Sequence, residues 1–64
     1  MPRPSRREEV LKAARKLFIR NGYQGTSLRA IAAESGMTIG AIYHHFRNKE
    51  QLYRGILTAH GMGD

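Results

Sequence analysis

Apolar residues recur along this chain at intervals of three and four, the spacing that lays one greasy stripe along a helix. Val10, Leu11, Ala14, Leu17 and Phe18 form the first stripe and predict a helix from about Arg6 to Asn21. Ser5 with Glu8 three residues on makes a capping box at its start, in which hydroxyl and carboxylate satisfy each other's backbone donors. Gly22 reads as a left-handed stop, with Tyr23 folding back onto the last turn. Ser27 or Thr26 caps a second helix, about Leu28 to Ser35, whose Leu28, Ile31, Ala32 and Ser35 share a face while Arg29, Ala33 and Glu34 point away. Gly36 ends it. Thr38 caps a third, Ile39 to about Phe46, with Ile39, Ile42, Tyr43 and Phe46 turned to the core.

Asn48 and Gln51 read as the capping pair of a fourth helix that starts near Lys49 and turns Leu52, Tyr53, Ile56 and Leu57 inward. Gly55 costs that helix about 1 kcal/mol relative to alanine. Pro2 and Pro4 predict that residues 1–5 form a flexible arm carrying the basic Arg3, and residues 61–64 read as a frayed tail. The two short helices about the Gly36 turn match a helix-turn-helix. The expected architecture is therefore all-α: a three-helix, homeodomain-like helix-turn-helix bundle over residues 6–60, plus the start of a fourth helix.

With 64 residues the chain has room for one small domain. No apolar run approaches the ~20 residues of a membrane span. It has no cysteine, and its charged start is unlike a signal peptide, so a reducing cytoplasm is the expected location. Eleven Lys and Arg against five Asp and Glu leave a net charge of +6, which makes nucleic acid the leading partner, the plainer alternative being a surface that is merely soluble.

The third helix separates these readings. Opposite its apolar side it presents Gly40, Ala41, His44 and His45, where a solvated face would carry Glu and Lys. Small side chains let a backbone approach base edges, and the Ala41 methyl suits a thymine methyl; alternatively, Gly40 and Ala41 serve tight helix packing. Lys12, Arg15, Lys16 and Arg20 on the first helix suit long-range steering. No Ser-His-Asp set, carboxylate pair or glycine-rich phosphate loop is present. Adjacent His44 and His45 point about 100° apart, with His60 distant in sequence. No enzyme activity, metal or cofactor is expected.

Gly22-Tyr23, Thr26-Ser27, Ile31-Ala32, Gly36-Met37-Thr38, Gly40, Ile42-Tyr43, Phe46, Asn48-Lys49-Glu50 and Leu52 together resemble the signature of the tetracycline-repressor (TetR) family of transcription regulators, over about Val10 to Leu57. The resemblance implies that Ser27, Thr38, Tyr43 and Lys49 hold DNA phosphates, which agrees with their places at helix starts and beside the reading helix. It also implies that Arg29, Ile39, Gly40, Ala41, His44 and His45 read bases. Ile39 is turned partly inward; His44 is open to a phosphate role and His45 to a structural one. The family further implies homodimers on palindromic sites and a larger C-terminal domain for dimerisation and a small-molecule inducer. These residues end before such a domain, so they read as an isolated half-site binder with no inducer pocket. The expectation is sequence-specific double-stranded DNA binding by a cytoplasmic regulator, a repressor. Its rivals are a helix-turn-helix architectural or protein-interaction module without sequence readout, and a basic amphipathic membrane-surface binder.

Overall fold

The computed structural model describes residues 5–61, with side chains through 58. Most of the expected arm, with Arg3, and the tail from 62 onward lie outside the described residues. Four helices follow in order: α1 (Arg6–Asn21), α2 (Leu28–Ser35), α3 (Ile39–His45) and α4 (Lys49–Gly61). Gly61 is thus the last helical residue rather than tail, and α4 is a full helix of 13 residues.

Local chemistry sets most of the ends. Ser5 Oγ accepts from the Glu8 amide at 3.1 Å while the Ser5 amide donates to Glu8 Oε1 at 2.8 Å, so the capping box is complete. Ser27 and Thr38 cap α2 and α3 by accepting from the Ala30 and Ala41 amides, each at 3.1 Å. Thr26 is not a cap for α2: buried, it donates its hydroxyl to the Leu17 and Gly22 carbonyls and so closes the end of α1. Gly22 has φ 80° and ψ 164°, a positive φ with an extended ψ rather than the left-handed helical stop read from sequence. Asn48 Oδ1 accepts from the Gln51 amide at 2.8 Å, but Gln51 Oε1 turns to the Arg47 amide at 3.0 Å instead of completing a box with Asn48. Phe46 lies one residue past α3 in extended geometry, its ring buried.

Helix α1 packs against both α2 and α4, and α2 against α3. The core gathers Val10, Leu11, Ala13, Ala14 and Leu17 of α1, Ile31 and Ala32 of α2, Ile42, Phe46, and Leu52 and Ile56 of α4. Ala13 joins it although the sequence stripe omits it. Two expected core residues of α4 do not: Leu57 is 53% exposed, and Tyr53 lies at the rim, its ring against Phe18 and Tyr23. Helix α4 packs chiefly on α1, so its stripe is covered on one edge. Gly55 sits at that crossing; a Cβ there would lie 3.1 Å from Leu11 Cδ2 and 3.4 Å from the Phe46 ring, so the missing side chain lets the helices approach.

Candidate nucleic-acid interface

Gly36 turns the chain between α2 and α3 with φ 71° and ψ 27°, a left-handed conformation that a Cβ would strain. The turn is closed by the Met37 amide donating to the Ala32 carbonyl at 2.9 Å, and Thr38 then opens α3. On α3 only Ile42 is buried. Thr38, Gly40, Tyr43 and His44 are exposed, while Ile39, Ala41 and His45 are half-buried. Tyr43 is therefore not a core residue, being 53% exposed with its phenol at the surface.

Gly40 separates the two readings of this face. A Cβ built there meets nothing nearer than Thr38 Oγ1 at 3.9 Å, so no neighbouring helix requires a glycine. Tight internal packing does not account for this residue.

Beside α3 runs an open groove of ≈ 590 Å³, lined by five of the sequence-predicted residues: Ser27 and Arg29 of α2's start, Ile39 and Tyr43 of α3, and Lys49 of α4. Lys49 also does something the sequence did not suggest. Its ammonium donates to the Tyr23 carbonyl at 2.7 Å and the Thr26 carbonyl at 3.0 Å, and lies 4.3 Å from the centroid of the Tyr23 ring. It thereby ties the start of α4 to the α1–α2 loop. Two of its three N–H donors are used in this way, which leaves one for a ligand in the groove.

The structure thus brings Ser27, Arg29, Ile39, Tyr43 and Lys49 into one groove and sets Thr38, Gly40, Ala41 and His44 along the adjoining surface of α3. His45 is separated from them. Its ring stands edge-on to that of His44 at 5.4 Å and lines a different groove with Arg7, Phe46, Gln51 and Arg54. Arg7 escaped the sequence reading because it lies outside the basic run of α1, and only the packing of α1 on α4 brings it beside α3. Among the described residues, no three His, Cys, Asp or Glu side chains cluster as metal ligands, and no helix is long and apolar enough to cross a membrane.

The family model for bacterial regulatory proteins, tetR family, matches residues 10–56. The chain belongs to the tetR family. It is 44% identical over 48 residues to the HTH-type transcriptional repressor AcnR of Corynebacterium diphtheriae, covering 75% of this chain and 25% of that protein. It is 42% identical over 53 residues to the repressor KstR2 of Mycolicibacterium smegmatis, covering 83% of this chain and 26% of that protein. The chain therefore spans about a quarter of the length of these relatives. Among solved structures, a protein from Mesorhizobium loti described as a tetR-family transcriptional regulator superposes with a TM-score of 0.86 at 33% identity, over 91% of this chain and 29% of that one. A Shewanella counterpart gives 0.84 at 36% identity, over 88% and 30%. The helix-turn-helix architecture expected from sequence is thus the architecture of tetR-family regulators.

Proposed function

We propose that the chain binds double-stranded DNA sequence-specifically and serves a transcription regulator, a repressor like AcnR and KstR2, with α3 entering the major groove. The observation that carries this is Gly40: a glycine in a helix, exposed and required by no packing neighbour, beside a groove of hydroxyl and cationic donors. A bare backbone at that point admits base edges. Ser27 and Thr38 stand at helix starts, where unpaired amides and the dipole favour phosphate. With the Tyr43 phenol and the remaining N–H of Lys49, they hold one strand. Arg29, Gly40, Ala41 and His44 face the bases, and Ile39 supports them from the groove wall. Pairing into homodimers on two-fold sites and a cytoplasmic location belong to the same reading through the family. A single copy of this domain binds weakly, because one module buries little surface and nothing holds it near a second half-site.

Fluorescence anisotropy on short duplexes across a range of salt tests the reading. With four to six phosphates contacted, log K should fall against log salt with a slope of roughly −3.5 to −5.5. A slope near zero removes the phosphate contacts and the proposal with them.

A further inference from the structure

We propose that the groove between the start of α1 and the middle of α4 is a second anion site, which takes phosphodiester groups of the DNA strand opposite the one lying against Ser27, Tyr43 and Lys49. This rests on the reading of α3 as a major-groove helix. Tyr43 and His45, two positions apart, leave α3 in directions about 200° apart. The grooves they line therefore open on opposite flanks of the same helix. A major groove about 12 Å wide is walled by a phosphate backbone on each side, so a helix seated in it meets one strand on each flank.

The second groove has ≈ 440 Å³ of space and is lined by Arg7, His45, Gln51 and Arg54. Arg7 is the built part of the site. Its guanidinium carbon lies 5.0 Å from the centroid of the Phe46 ring. One terminal nitrogen lies 3.6 Å from where a Cβ on Gly55 would stand, ordinary contact distance, so the guanidinium lies against the middle of α4. No carboxylate among the described residues pairs with it. A guanidinium packed on a ring, with no carboxylate partner among the described residues, is preorganised for the planar, two-pronged recognition of phosphate. Across the groove Arg54 pairs with Glu50 at 3.1 Å, but both side chains are mostly exposed, and such a pair is weak enough for a phosphate to displace it. His45 completes the set from α3, a role by which it touches backbone rather than bases.

The test measures anisotropy on one bound duplex at several salt concentrations, with the full chain and with Arg7→Gln, Arg54→Gln and Lys12→Gln. Lys12→Gln removes an equal charge from a groove on another side of α1. Arg7→Gln is expected to reduce the magnitude of the slope by about 0.9, because one phosphate is no longer neutralised, and to weaken binding to all duplexes alike, while Lys12→Gln, which acts only at long range, changes the slope by clearly less. Duplexes carrying single uncharged methylphosphonates resolve the strands. Positions on both strands should matter to the unsubstituted chain, and those on one strand should cease to matter in Arg7→Gln. Thermal unfolding checks that each variant folds; if Arg7→Gln does not, Arg54→Gln carries the same expectation. An unchanged slope in a folded variant, or sensitivity confined to one strand, overturns the second site. Failure of the unsubstituted chain to bind any duplex overturns the α3 reading instead.

Discussion

At the scale of single residues, stability and binding pull in opposite directions at Gly40. A glycine inside a helix costs up to about 1 kcal/mol relative to alanine, and here a Cβ would meet no crowding in return. Gly40→Ala should therefore raise stability by up to about 1 kcal/mol in urea unfolding while weakening duplex binding, since the added methyl stands where a base edge would lie. A variant that gains stability and binds as before would place Gly40 outside the interface. Gly25 is the opposite case. A Cβ there would overlap the Asn21 backbone carbonyl, so its smallness belongs to the fold. Both glycines are plain in the sequence, but their reasons are not, because each depends on what lies within a few ångströms after folding.

Among the elements, α4 depends most on partners far along the chain. Lys49 at its start donates to two carbonyls more than twenty positions earlier, and the loop bearing them also presents Ser27 to the groove, just ahead of Arg29 on α2. Lys49→Met keeps an unbranched stem but removes the ammonium from both carbonyls, leaving that of Tyr23 with only the Thr26 amide at 3.3 Å. It should cost about 1–3 kcal/mol of stability in the absence of DNA, read as a shift in the urea midpoint. Its effect on DNA binding should then exceed that of removing a single phosphate donor, because the groove's wall loosens as well. If stability is unchanged, the lysine serves the ligand alone. The surface pair Lys16–Glu34, 3.0 Å apart with its lysine largely solvated, carries no comparable weight.

For the molecule as a whole, the small core makes the reading helix vulnerable. Helix α3 buries a single side chain of its own, Ile42, which is fully enclosed. Replacing a buried isoleucine by alanine removes about 2–5 kcal/mol, a large part of the total stability of so small a domain. Ile42→Ala should lower the melting temperature by at least about 10 °C by circular dichroism and abolish binding at 37 °C. A small shift would show that α3 is held chiefly by its caps and by Phe46.

What the sequence by itself determined lies within one helical turn. The ends of α1, α2 and α3 follow from Ser5 with Glu8, Ser27, Thr38 and Gly36, because capping groups act on amides three or four residues away. The apolar stripes named most of the buried faces for the same reason, and the outward position of Gly40 and His44 came with them, whereas Ala41 is half-buried. Tertiary structure alone decided the rest. It left Tyr53 and Leu57 uncovered because α4 is covered on one edge only. It buried Thr26 beneath the end of α1, spent two donors of Lys49 on a distant loop, and brought Arg7 beside His45. Each of these joins residues that local spacing cannot relate, since only the crossing of α1 with α2 and α4 brings them together.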